Sequence, residues 1–148
     1  MKSIFDPAVS KELQSRITAV NQTNPAHWGK MNAFQMVKHC TMCDDMFLGK
    51  TIVKRVLIGR LIGKLILKKV LKDDSPFGRN SPTSPLLITL DKSGDMEQQK
   101  QEWLNRVKQY DSMSSSNFVH PFFGKMTREQ IGFFAYKHAD HHLRQFGA

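Results

Sequence analysis

The chain has 148 residues, which fits one domain spanning residues 1–148, and a chain of this length can bury a core without disulfide bonds. Its formal net charge of +9 permits nucleic acid, an anionic membrane or acidic small molecules as partners. No apolar run reaches about 18 residues, which excludes an ordinary transmembrane helix, and the first residues lack the apolar run of a signal peptide. We therefore expect a cytoplasmic protein with reduced thiols.

Two helices are predicted at the start of the chain. Asp6 followed by Pro7 is a good helix start, and apolar residues then recur at helical spacing, which predicts a helix over residues 7–20. Asn32 and Gln35 have the spacing of a capping box and predict a second helix over residues 33–48. One face of this second helix carries His39 among soft apolar side chains, namely Met36, Cys40, Cys43, Met46 and Phe47.

Residues 51–72 combine apolar rows with a basic row at helical spacing. The apolar rows are Val53, Leu57, Leu61 and Leu65, and Ile58, Ile62, Ile66 and Val70; the basic row is Arg60, Lys64, Lys68 and Lys72. Such a pattern is compatible with contact to a membrane surface or to a partner. We favour the ordinary alternative, a helix packed on its own domain with its lysines in water. The pattern contains neither a helix-turn-helix nor a basic strand interleaved with aromatic residues, which argues against nucleic acid.

The second half of the chain predicts two more helices. Residues 73–85 read as loop, and residues 86–90 as a short extended piece lying along the helices. Asp95 and Gln98 open a third main helix, residues 112–117 read as a serine-rich linker, and residues 118–124 as an apolar loop. Thr127 and Gln130 form another capping box, which predicts a last helix over residues 128–145. The expected class is all-α: four main helices, one basic helical insert and no convincing sheet.

The last helix carries a histidine pair, His138 and His142. Their spacing of four residues places both imidazoles on one helix face, which continues through Ala135, Phe134 and Ile131 and therefore points into the protein. Such a pair is half of a metal site, and His39 is the candidate third ligand. Three protein nitrogens would leave a coordination position for water or substrate. The alternative is a set of hydrogen-bonded core histidines.

Several blocks of the sequence resemble a known family. These blocks are the Phe-Asp-Pro start at residues 5–7, Trp-Gly-Lys-Met at 28–31, Asn-Ser-Pro-Thr at 80–83, His-Pro-Phe-Phe-Gly-Lys at 120–125 and His-Ala-Asp-His-His-Leu-Arg-Gln at 138–145. Together they resemble the DinB-like metal-binding bundles, most closely the DUF1569 group of proteins of unknown function.

The resemblance implies an up-down four-helix bundle with a long crossover. It also implies a divalent metal ion held by His39, His138 and His142, and that homodimers are common. Histidine-rich sites accept zinc, nickel, iron and copper according to supply, so the metal's identity stays open. Some DinB-like relatives are thiol transferases or thiol-dependent isomerases, whereas many have no known activity.

Further residues are candidates for supporting the ligands or contacting a substrate. His141 points about 100° away from His142 on the helix, so it is a candidate contact and not a ligand. Gln145 and His120 are candidates of the same kind. The open alternatives are a surface histidine for His120 and capping of the helix end for Gln145. Asp140 is expected to face solvent. Cys40 and Cys43 form a C-x-x-C in mid-helix, for which buried apolar thiols are the favoured interpretation. Cys43 as a fourth ligand is the minor alternative.

The sequence supports two main hypotheses of function. One is a metal-dependent enzyme that transfers or adds a small thiol, or a hydrolase. The other is a non-catalytic metal-binding or regulatory bundle, because the pattern indicates no buried carboxylate and no serine or lysine nucleophile near the histidines.

Overall fold

A computed structural model describes residues 1–81, 83–113 and 118–148 of the chain. Over these residues it contains five α-helices and one small antiparallel sheet. The helices are α1 (Pro7–Ala19), α2 (Ala33–Phe47), α3 (Leu57–Val70), α4 (Met96–Gln109) and α5 (Arg128–Gln145); the strands are β1 (Val119–His120) and β2 (Gly124–Lys125). All five predicted helices are present, but the basic helix is shorter than its pattern over residues 51–72, because residues 51–56 precede α3 and are not helical. Most of the predicted serine-rich linker, residues 114–117, lies outside the described residues.

Local capping determines where these helices begin. The Asp6 carboxylate accepts from the backbone N–H groups of Ala8 and Val9, and the predicted capping boxes at the starts of α2 and α5 are both formed. Asp95 caps α4 by accepting from the backbone N–H of Gln98. Because each cap satisfies backbone donors that the helix leaves unpaired, these starts are readable from sequence alone.

The core lies between α1, α2, α4 and α5. α2 packs on α4 and α5, and α1 packs on the same two helices. The side chains that are fully buried there include Leu13, Ile17, Met36, Trp103, Tyr110, Ile131 and Leu143. This packing holds α2 and α5, which carry the histidines singled out by sequence, against each other.

α3 is attached differently, through a row of small residues. Gly59 and Gly63 are buried, and a Cβ built on either would lie 2.4 Å and 2.1 Å, respectively, from the backbone oxygen of Phe122. The turn between β1 and β2 therefore rests directly on the α3 backbone. Leu67 is the other buried residue of the helix, whereas Leu57, Leu61 and Leu65 are 77%, 80% and 70% exposed. The helix packs on its own domain as expected, but its buried residues belong to neither of the two apolar rows.

Three expectations from the sequence need correction or refinement. The loop predicted at 118–124 contains a two-stranded hairpin, in which Val119 pairs with Lys125 and His120 with Gly124. Gly124 adopts a positive φ of 78° there, a conformation that glycine reaches without strain. The segment 86–90 does lie along α2, but it begins with a 3-10 turn, Pro85–Leu87.

Asp140 is the clearest correction, because it is buried and not solvated. Its carboxylate accepts from Arg16 Nη1 at 2.8 Å and from Arg144 Nε at 2.7 Å. Two arginines compensate the buried charge, which a helical pattern read in isolation does not show. None of the helices in the described ranges is long and apolar enough to cross a membrane.

Candidate metal centre

His39 projects from the middle of α2 into the interior, where it is 3% exposed. Its Nδ1 lies 2.7 Å from the backbone carbonyl oxygen of Leu87, in the segment that lies along α2. A carbonyl oxygen can only accept, so Nδ1 carries the proton and donates. The Nε2 atom of His39 is therefore left with a free lone pair.

His142 is held in the same tautomer by a chain of two hydrogen bonds. Gln145 donates its side-chain amide N–H to the carbonyl oxygen of Trp28 at 2.6 Å, which orients its own oxygen toward His142. The Gln145 Oε1 then accepts from His142 Nδ1 at 2.9 Å. The predicted supporting role of Gln145 thus has a defined geometry, and His142 Nε2 also keeps its lone pair.

His138 completes a cluster of three rings. Its ring centroid lies 5.2 Å from that of His39 and 4.7 Å from that of His142. One ligand atom from each of the three histidines lies within 4.8 Å of the others. The structure therefore brings together all three residues that were predicted as metal ligands.

The spacing within the cluster fits a bound cation. The Nε2 atoms of His39 and His138 are 3.3 Å apart. Two nitrogens bound tetrahedrally to zinc at about 2.0–2.1 Å would be separated by about 3.3 Å. In the absence of an ion, the same distance allows His138 to donate a proton to His39, so the geometry alone supports either a metal site or a hydrogen-bonded core.

Burial keeps the three imidazoles neutral, which is the form that binds metals. Desolvation lowers the pKa of His39, lowers that of His142 to about 3 and lowers that of His138 well below its ordinary value. The charges of neighbouring histidines act in the same direction on His138 and His142. At neutral pH the cluster therefore presents lone pairs and not three mutually repelling cations.

His141 lies beside the cluster, as its position on the helix predicts. Its ring centroid is 5.1 Å from that of His142 and 5.4 Å from that of Trp28. The Arg79 guanidinium covers the indole of Trp28, with Cζ 4.5 Å from the ring centroid. The indole Nε1 is buried and has no hydrogen-bond partner within the described ranges. A substrate role for His141 remains a prediction.

His120 lies apart from the three-histidine cluster, in the hairpin. Its Nδ1 accepts from the backbone N–H groups of Phe122 and Phe123 at 3.1 Å and 3.2 Å. Its ring stacks on Phe123 and contacts Phe134, and burial lowers its pKa to about 4. These contacts stabilise the turn between β1 and β2, against which α3 packs. The predicted contact of His120 with a substrate stays a prediction.

The two cysteines are free and buried, as expected. Cys43 Sγ lies 3.6 Å from Nε2 and 3.8 Å from Nδ1 of His39, so the sulfur packs against that ring. Burial raises the pKa of both thiols well above the ordinary value, which keeps them protonated. As a fourth ligand, Cys43 remains an untested alternative.

A buried carboxylate that the sequence pattern did not reveal lies on α2. Asp44 accepts from Trp103 Nε1 at 2.9 Å and from the Tyr110 hydroxyl at 2.7 Å, and burial raises its pKa to about 7. Both of its oxygens are thus engaged with α4 and the turn after it. Sequence reasoning also missed the Leu87 carbonyl, because a backbone acceptor leaves no signal in residue identity.

The fold and the cluster define a class: a mostly helical protein in which three histidines from two helices converge, with His39 and His142 buried and His138 half-buried. The family model described as protein of unknown function DUF1569 matches residues 8–148. The chain therefore belongs to the DUF1569 family. No curated protein and no solved structure matches it.

Proposed function

We propose that this protein is a DinB-like helical bundle that holds one divalent metal ion through His39, His138 and His142. The observation that carries the proposal is the set of three neutral ring nitrogens within 4.8 Å, two of them oriented by hydrogen bonds on the opposite ring atom. Such bonds on the outer nitrogen of a ligating histidine are typical of metal sites. The packing of α1, α2, α4 and α5, with α3 inserted between the two halves of the sequence, supports an up-down bundle with a long crossover.

The ligand set favours zinc, nickel or iron over magnesium or calcium, because imidazole nitrogen suits borderline transition metals. Histidine sites of this kind differ in metal content according to supply, so metal identity is a matter for measurement.

We further propose that the site serves a metal-dependent reaction of a small thiol, by transfer or addition, or a hydrolysis. A divalent ion supplies Lewis-acid activation of a thiol or of water when bound at three protein ligands. The chain's own residues would orient the ligand rings through Gln145 and Leu87. They would also offer a substrate the imidazole of His141, which packs against the Trp28 indole.

The second candidate is a non-catalytic metal-binding or regulatory bundle. Over the described residues, the potential metal-binding cluster consists of histidines only, and both Asp44 oxygens are engaged by Trp103 and Tyr110. A general acid or base would then have to be His141 or the substrate itself.

Elemental analysis of the untagged, metal-replete protein tests the metal proposal. We expect near one equivalent of metal in the parent and in His27→Ala, which removes an exposed histidine outside the cluster. We expect its loss in His138→Ala/His142→Ala. Absence of metal from the folded parent, with no rise in melting temperature on addition of zinc or nickel, would make the cluster a core polar network.

Turnover distinguishes the two candidate functions once metal is bound. A screen of small thiols against electrophiles, and of simple hydrolysable esters, should reveal turnover that His142→Ala abolishes if the protein is an enzyme. A fully loaded protein that turns over none of these substrates would favour the non-catalytic bundle.

A further inference from the structure

α3 carries an outward-facing surface that the fold leaves uncovered. At 100° per residue, Leu57, Leu61 and Leu65 lie opposite the buried row of Gly59 and Gly63. The three leucines are 77%, 80% and 70% exposed, and they form one continuous row. We call the surface formed by Leu57, Ile58, Leu61, Leu65, Lys68 and Lys69 the α3 outer face.

Exposed apolar side chains on a soluble surface are ordinary when scattered, but a contiguous row marks an interaction site. Ile58 adds to this row at 55% exposure, and Ile52, just before the helix, is 90% exposed. Since the helix has its backbone pressed against the Phe122 carbonyl, it has little room to roll and bury the leucines on its own domain. The row is therefore available to a partner outside the chain.

Charge indicates what that partner is. Residues 50–72 contain eight lysines and arginines and no acidic residue, and the whole chain has a net charge of +9. Nearly all of the excess charge of the protein thus lies in this one segment. Arg60, Lys64, Lys68, Lys69 and Lys72 are all solvent-exposed.

We propose that the α3 outer face binds an anionic phospholipid surface, with the helix axis in the plane of the interface. The leucines and Ile58 would enter the boundary between headgroups and acyl chains, while the lysines, whose long stems reach outward, would contact the phosphates. A basic segment gains attraction from each charge near an anionic leaflet, and that attraction falls off within a Debye length.

Two other partners fit these observations less well. In a two-fold dimer the same patch would meet itself, which would place the basic segment of one copy against that of the other, and neither segment contains an acidic residue to offset the repulsion. A nucleic acid would match the charge but would leave the leucine row facing phosphates and water.

Co-sedimentation with vesicles tests the proposal. The full-length protein is mixed with vesicles of phosphatidylcholine containing about one-third phosphatidylserine, at about 0.1 M salt, and with vesicles of phosphatidylcholine alone. We expect it to pellet with the anionic vesicles and not with the neutral ones.

Paired variants separate insertion from simple charge attraction. Leu61→Ser/Leu65→Ser and Lys68→Glu/Lys69→Glu should each weaken partitioning about tenfold or more, because each removes one of the two contributions. Leu86→Ser/Leu90→Ser removes two leucines that are 64% and 87% exposed elsewhere, and Lys11→Glu/Lys108→Glu reverses two exposed lysines elsewhere. Both control pairs should partition within about twofold of the parent.

Three results would overturn the proposal. One is failure of the parent to pellet with anionic vesicles. Another is partitioning that Leu61→Ser/Leu65→Ser leaves unchanged, which would reduce the contact to non-specific charge attraction. The third is a dimer in light scattering that the same leucine pair dissociates, which would assign the face to a second copy. Circular dichroism of each variant establishes that a loss of binding is not a loss of fold.

Discussion

The Gln145 side chain links one candidate metal ligand, His142, to the backbone of Trp28. It accepts from His142 Nδ1 and donates to the carbonyl of Trp28, so it fixes both the ring orientation and the tautomer of His142. The helical spacing of His138 and His142 was enough to predict the pair. The direction of the Gln145 amide was not predictable, because it depends on a backbone carbonyl more than a hundred residues earlier.

We predict that Gln145→Leu weakens zinc affinity about 10- to 100-fold while the protein stays folded, because His142 loses the acceptor that orients its ring. Competition with a chromophoric chelator measures the affinity. Gln101→Leu, at an exposed position of α4, is the matched control and should leave the affinity unchanged. Equal affinities for the parent and Gln145→Leu would show that the hydrogen bond has no part in metal binding.

We predict that His120 contributes to acid sensitivity of the fold. Burial lowers its pKa to about 4, whereas an unfolded histidine titrates near about 6.5, so the unfolded state binds more protons between these values. The neutral His120 therefore makes its full contribution to the free energy of unfolding above about pH 6.5. That contribution falls as the pH drops toward about 4, by at most about 3 kcal/mol.

His120→Asn tests this, because the amide oxygen can still accept from the backbone of Phe122 and Phe123 but does not titrate. Urea unfolding of chelator-treated protein at several pH values should show a shallower loss of stability in the variant than in the parent. Parallel pH curves for the two proteins would contradict the prediction.

At the scale of elements, α3 depends on two glycines for its position. Gly63→Ala would gain about 1 kcal/mol in helix propensity, but its Cβ would lie 2.1 Å from the Phe122 carbonyl oxygen. That backbone clash outweighs the gain, and we expect a net loss of about 1–3 kcal/mol in the attachment of α3.

Limited trypsin digestion measures this attachment, because α3 contains Arg60 and Lys64. Gly63→Ala should be cut within α3 faster than the parent. Gly78→Ala is the matched control, since a Cβ there meets nothing closer than 4.0 Å, and it should be cut at the parental rate. If Gly63→Ala were cut at the parental rate, the hairpin would have shifted to accommodate the methyl group while α3 stayed packed against it.

The Arg16–Asp140 pair ties α1 to α5. Arg16 donates to the buried Asp140 carboxylate at 2.8 Å and to the backbone carbonyl of Ala148 at 3.0 Å. Arg16→Met should lower the free energy of unfolding by about 1–3 kcal/mol, because Arg144 alone would then compensate the buried charge. Lys11→Met removes an exposed charge from the same helix and should change the free energy of unfolding by less than about 0.5 kcal/mol. Urea unfolding of both variants compares them directly, and equal midpoints would contradict this.

For the whole molecule, metal binding and folding should be coupled, because the three histidines come from two helices that converge only in the folded chain. Zinc at about 100 times its Kd should raise the free energy of unfolding by about 2.7 kcal/mol, or the melting temperature by about 5–10 °C. Scanning calorimetry should show this shift in the parent and in His27→Ala but not in His39→Ala. An equal shift in His39→Ala would place the zinc elsewhere. The predicted homodimer is checked by light scattering on the same samples.

Local physics makes three features predictable from the residues alone: the helix starts set by side-chain caps, the burial of His39, and the shared face of His138 and His142. Family resemblance to DUF1569 was also readable there, and the family match confirms it. Three other features depend on long-range packing. α3 packs through its glycines and exposes its leucines, Asp140 is buried between two arginines, and the Leu87 carbonyl orients His39. Each of these features depends on which distant segment packs against a given helix face. Helical periodicity predicts that a helix has an apolar face, but not what that face contacts.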